Sequence, residues 1–168
     1  LFLADALVST SGGYGTIVGI DGSIPAPSSL NGTVASGAVV SLADLNYGTC
    51  GTEIDFANCG ADRTAYIAAH EGGHAFGLFH TTEAAGLNFD PLSDTPTCQC
   101  STACLPASVA QYCPAHGVYM TNDVCVQPAS QLCGGGDNLM FWLFFPGYST
   151  GSLSPQQGKV MRANPAVF

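Results

Sequence analysis

Three of the four histidines in this 168-residue chain fall inside one short stretch, His70-Glu71-Gly72-Gly73-His74-Ala75-Phe76-Gly77-Leu78-Phe79-His80. Tyr66, Ile67, Ala69, His70, Gly73 and His74 recur at helical spacing behind Asp62, which predicts a helix from Asp62 as N-cap to about Phe76. On that helix His70 and His74 lie one turn apart and can each aim an imidazole nitrogen at one ion about 2.0–2.1 Å away. His80 sets the harder condition. A helix continued that far would carry it about 15 Å along the axis, beyond a shared metal. The helix must therefore end, and Gly77 is where it can, because glycine takes the left-handed conformation that closes helices and turns the chain. Three protein ligands leave one position for water, the catalytic rather than the structural arrangement for zinc. Glu71, next to the first ligand, can act on that water without ligating. Two histidines at this spacing also occur as plain core or surface pairs; the third histidine and the glycine favour the metal. Gly73 is expected to allow close packing against a strand, and Gly72 to lie on the outer face.

Composition narrows the partners. The formal net charge is -9, and the three cations, Arg63, Lys159 and Arg162, are too few and too scattered to bind nucleic acid or an anionic membrane surface. Eight cysteines point to an oxidising, extracytoplasmic compartment. Cys50 and Cys59 are a plausible local disulfide, whereas eight cysteines allow on the order of a hundred complete pairings and the rest stay open. Cys98, Cys100 and Cys104 can be read as zinc ligands, but disulfides are favoured in an acidic extracytoplasmic chain. The longest apolar stretch, Leu139 to Pro146, is too short to span a bilayer. The chain is expected to start inside a longer precursor, its first residues reading as a core strand rather than a leader.

Strand candidates are Leu1 to Val8, Tyr14 to Ile20 and Ala38 to Leu42, with a Pro/Ser/Gly/Asn loop over Ile24 to Gly32. Residues 81–137 lose all periodicity and carry Cys98, Cys100, Cys104, Cys113, Cys125 and Cys133, so covalent links must order them. Ser154-Pro155-Gln156-Gln157 offers an N-cap, a first-turn proline and a capping box for a short helix to about Ala163. The expected fold is α+β: an N-terminal twisted mixed sheet with an active-site helix, then an irregular disulfide-rich subdomain ending in a short helix. Residues 1–168 are expected to form one domain, with subdomains 1–80 and 81–168.

The HExxHxxGxxH pattern at His70, Glu71, His74, Gly77 and His80 resembles the zinc motif of the metzincin clan. Asn138-Leu139-Met140 is similar to the methionine turn of that clan, with Met140 as its methionine. Within the clan the chain most resembles the pappalysin family, through His80-Thr81-Thr82, Ser93-Asp94-Thr95-Pro96 before Cys98, the Asn-Leu-Met turn after Cys133, and the late helix around Ser154 to Arg162. The resemblance implies a metzincin-like fold and a secreted zinc endopeptidase hydrolysing peptide bonds through a zinc-activated water. His70, His74 and His80 would be ligands and Glu71 the general base. It also suggests calcium, for which Asn88, Asp90, Asp94, Asp123 and Asp137 supply oxygen ligands, although these residues read equally as solvated turns.

Two positions depart from the family. Trp142 stands where pappalysins carry a tyrosine that assists the tetrahedral intermediate, and an indole has no hydroxyl to offer; Tyr119 and Tyr148 are the nearby substitutes, although ordinary packing is the favoured reading of both. Phe141 to Pro146 contains no acidic residue, so an apolar primed-side pocket is expected. Substrate is expected to pair with an exposed edge at Ala38 to Leu42. The reading is of a monomer acting on peptides or proteins. A second reading is a cell-surface binding module that keeps a zinc site while catalysis is weakened, and a third is hydrolysis of a non-peptide amide. His116 reads as a surface residue.

Overall fold

The computed structural model describes residues 1–7, 18–25, 33, 37–83, 88–97, 135–142, 144 and 150–164. Among these, three strands, β1 (Phe2–Ala4), β2 (Gly19–Asp21) and β3 (Ala38–Ser41), and two helices, α1 (Gly60–Ala75) and α2 (Pro155–Ala163), give an α+β fold. The chain divides into two compact units, Leu1–Leu78 with Lys159–Phe168, and Phe79–Gly158.

In the first unit the strand order is β1-β3-β2, with β1 parallel and β2 antiparallel to β3, so the sheet is mixed. The β-branched pair Val39-Val40 suits β3 to the centre of a pleated sheet. Alternation then sorts the faces: Ala38 and Val40 are 5% and 0% exposed, whereas Phe2 and Ile20, both paired with Val39, are 60% and 48% exposed. Gly19 pairs with Val40 and Asp21 with Ala38, which turns both toward the buried face. The segment Ala38 to Leu42 is therefore not the free edge expected for substrate, because its backbone bonds are taken on both sides. Ser41 N–H donates to Val18 O at 2.9 Å and Leu42 N–H to Ala4 O at 2.7 Å. Among the described residues β1 pairs with β3 alone, and Phe2 and Leu3 are exposed where a core strand was expected.

Helix α1 begins two residues before the expected Asp62. Its N-cap is Cys59, whose sulfur accepts from the Asp62 N–H at 3.4 Å, while the Asp62 carboxylate accepts from the Asp55 N–H at 2.7 Å. The Cys50–Cys59 disulfide, formed as expected, ties the preceding loop to this helix start. Arg63 reinforces the junction: its Nε donates to Phe56 O at 2.6 Å, its Nη2 to Ala57 O, and it lies 4.2 Å over the Tyr47 ring. Tyr66, Ile67, His70, Glu71 and His74 form the buried stripe.

In the second unit Met140 and Phe141 are buried, at 0% and 2% exposure. Met140 N–H donates to the Asn138 side-chain oxygen at 2.8 Å, and Met140 O accepts from the Thr81 N–H at 3.0 Å. The start of α2 matches its capping box, with Gln157 N–H donating to Ser154 Oγ at 3.1 Å and Ser154 N–H to Gln157 Oε1 at 2.8 Å. Six cysteines, Cys98 through Cys133, lie outside the described residues, as do Asp123, His116, Tyr119 and Tyr148.

Candidate metal centre

The end of α1 builds the site. Gly77 has φ 97°, and with it Gly77 N–H donates to His74 O at 2.8 Å and Leu78 N–H to Gly73 O at 2.9 Å. These two bonds are the glycine-closed termination that satisfies the last carbonyls of a helix. The reversal also carries the Leu78 carbonyl back over His74, where it accepts from Nδ1 at 2.7 Å. The proton of His74 is thereby held on Nδ1 and the lone pair on Nε2.

Nε2 of His74 lies 3.1 Å from Nε2 of His70, and the rings meet edge to face with centroids 4.8 Å apart. Both imidazoles are buried. His80 follows the reversal, and each of the three residues offers a ring nitrogen within 4.8 Å of the others. His80 Nδ1 meets Glu83 Oε2 at 3.0 Å, which orients that ring as a carboxylate orients a metal-bound histidine. Nitrogen donors gathered this closely, with the outer nitrogens of two rings engaged by protein oxygens, fit a zinc ion. Among the described residues no other group of three His, Cys, Asp or Glu side chains converges in this way.

Glu71 follows the first of these histidines on the buried face of α1, 5% exposed. Burial, followed by the neighbouring Asp21 carboxylate, pushes its pKa up from 4.5 to about 7. Asp21 is itself raised by burial, against the N–H groups of Gly22 and Ser23, yet neither of its oxygens closes a well-formed hydrogen bond among the described residues. Beneath Glu71 runs Gly19, where a Cβ would lie 2.7 Å from Glu71 Cγ and 2.8 Å from Cδ. A buried carboxyl whose pKa is raised toward 7 can exchange a proton at ordinary pH.

The family model for metallo-peptidase family M12 matches residues 8–133, well over half of the chain. The chain belongs to metallo-peptidase family M12. Neither the curated proteins nor the solved structures yield a match.

The sequence pattern of this M12 metallo-peptidase brings together His70, His74 and His80, and the structure adds Gly19, Asp21 and Glu83, which the motif alone did not reveal. Asp21 directly precedes Gly22, a pair common in turns, and only strand pairing sets it toward α1. Of the oxygen ligands proposed for calcium, Asp90 is buried; its Oδ1 accepts from Thr95 at 2.5 Å and from Leu92 N–H at 3.2 Å, while Oδ2 has no partner among the described residues. Asp94 caps α2, accepting from Ser154 Oγ at 2.7 Å and Gln156 N–H at 2.9 Å. Asp137 and Asn88 are exposed. Trp142 places its indole N–H in a buried position with no acceptor among the described residues. Phe141 is buried, and Leu143, Phe145 and Pro146 of the stretch expected to form an apolar pocket lie outside the described residues. Gly72 faces open space, as expected of the outer face of the helix.

Proposed function

We propose that this M12 metallo-peptidase is a secreted zinc endopeptidase of the metzincin type, with His70, His74 and His80 as ligands and Glu71 as general base. The observation that carries this reading is the convergence of three histidine nitrogens behind a glycine-terminated helix. Zinc held there supplies Lewis acidity and a lowered pKa for water. The chain's own residues do the rest: Glu71 takes the proton of the attacking water and returns it to the leaving amine. The Leu78 carbonyl and Glu83 keep two of the imidazoles in register, and burial keeps bulk water from solvating the base.

Substrate is a peptide or protein. Likeness to the pappalysin family in His80-Thr81-Thr82, Asp94-Thr95-Pro96 and Asn138-Leu139-Met140 supports placing the chain near that group. Residues 1–168 act as one monomeric catalytic domain, with subdomains 1–80 and 81–168. Calcium bound through Asp90, whose second oxygen is buried without a partner among the described residues, would order the surrounding loop. Calcium should then raise the melting temperature of wild type and not that of Asp90→Asn; equal shifts would remove the site. The Cys50–Cys59 disulfide supports an extracytoplasmic setting, and among the described residues no helix is long and apolar enough to cross a membrane.

The test is cleavage of casein and a mixed peptide library by wild type and Glu71→Ala, each assayed for zinc. Loss of cleavage with zinc retained is expected. Cleavage undiminished in Glu71→Ala would remove the base assignment. A wild type that binds zinc and cuts nothing would favour the binding module, a reading that Trp142 in place of a tyrosine hydroxyl keeps in play.

A further inference from the structure

Gly19 opens β2, paired in regular register opposite Val40. Glycine weakens a strand there, since it brings no side chain to pack and gives up the most backbone freedom. Its backbone does not need glycine either. Among the described residues the positive-φ glycines are Gly37, Gly48, Gly77, Gly135 and Gly151, and Gly19 is not one of them. What the position lacks is space. A Cβ at Gly19 would stand 2.7 Å from Glu71 Cγ and 2.8 Å from Glu71 Cδ, with Oε1 closer still. All three atoms belong to one side chain, rooted in the buried face of a 16-residue helix, so the collision falls on the whole carboxyl arm rather than on a loose tip.

We propose that Gly19 is a positioning residue for Glu71: the missing side chain in β2 is the room in which the base is held. The proposal rests on the reading of Glu71 as general base. A methyl group at this point meets the Glu71 side chain first and drives the carboxylate off its place. Misplacement of a reacting group by about 1 Å costs about a hundredfold in rate.

Four proteins test it: wild type, Gly19→Ala, Glu71→Ala and the double variant, each measured for zinc content, kcat, KM and melting temperature. Gly19→Ala should bind zinc like wild type, keep KM and lose about a hundredfold in kcat. Its melting temperature should fall in the wild-type background and stay level in the Glu71→Ala background, because shortening Glu71 opens the space. Should Gly19→Ala fail to fold alone and fold in the double variant, the same competition is demonstrated. Wild-type kcat in Gly19→Ala, or an equal thermal loss with and without the Glu71 side chain, would overturn the proposal, as would a double variant that fails to fold when Glu71→Ala folds. Undiminished cleavage by Glu71→Ala would instead strike the base assignment, while the thermal comparison still decides whether the two positions compete for one volume.

Discussion

Glu71 is protonated more readily in the folded chain than in the unfolded one, its pKa rising from 4.5 to about 7 through burial first and Asp21 second. With the folded value above the unfolded one, the protonated carboxyl stabilises the fold below pH 4.5, and that contribution is lost as pH climbs through 7. The difference amounts to roughly 3 kcal/mol. In protein stripped of metal by a chelator, Glu71→Gln should therefore melt close to wild type at pH 5 and clearly above it at pH 8. A gap of the same size at both values would mean that the carboxyl is not strained by its surroundings. The histidines and Glu71 were legible because their spacing is local and the helix period converts it into direction. Asp21 and Gly19 were not, since only the register of β2 on β3 brings them to the helix.

At the scale of elements, the reversal at Gly77 has the widest reach. A Cβ there would meet Asn164 Nδ2, Pro25 Cβ and Val160 Cγ1 at an ordinary 3.7 Å, so the obstacle to other residues is conformation and not space. Gly77→Ala should cost about 1–2 kcal/mol in urea unfolding, the usual penalty of a left-handed residue that bears a Cβ. It should also weaken zinc binding, because the Leu78 carbonyl would lose its hold on His74 Nδ1; unchanged affinity in a chelator competition would separate the turn from the site. The glycine stop and the α2 capping box could both be read from neighbouring residues. The helix start could not, because its cap is a disulfide sulfur at Cys59. Nor could the central place of β3, which depends on strands distant in sequence.

For the whole molecule, Cys50–Cys59 closes a short loop directly onto the helix that bears the site. Replacing both by serine should lower unfolding stability by about 2–3 kcal/mol, measured in urea at constant zinc, since closing even a short loop restricts the unfolded chain. A loss no larger than that of an ordinary surface substitution would show the loop to be held by Arg63 and its neighbours alone. Asp94 joins residues some sixty positions apart by capping α2, a long-range link that no local pattern announces.

The turn of Met140 is secured differently. Asn138 Nδ2 donates to Gln157 Oε1 at 2.9 Å and Gln157 Nε2 returns a bond to Asn138 Oδ1 at 3.1 Å, both amides buried. Carboxamides neither gain nor lose protons across the habitable range, and dissolved ions have no charge there to shield. Acidified or briny surroundings that would slacken a carboxylate clasp leave this one closed.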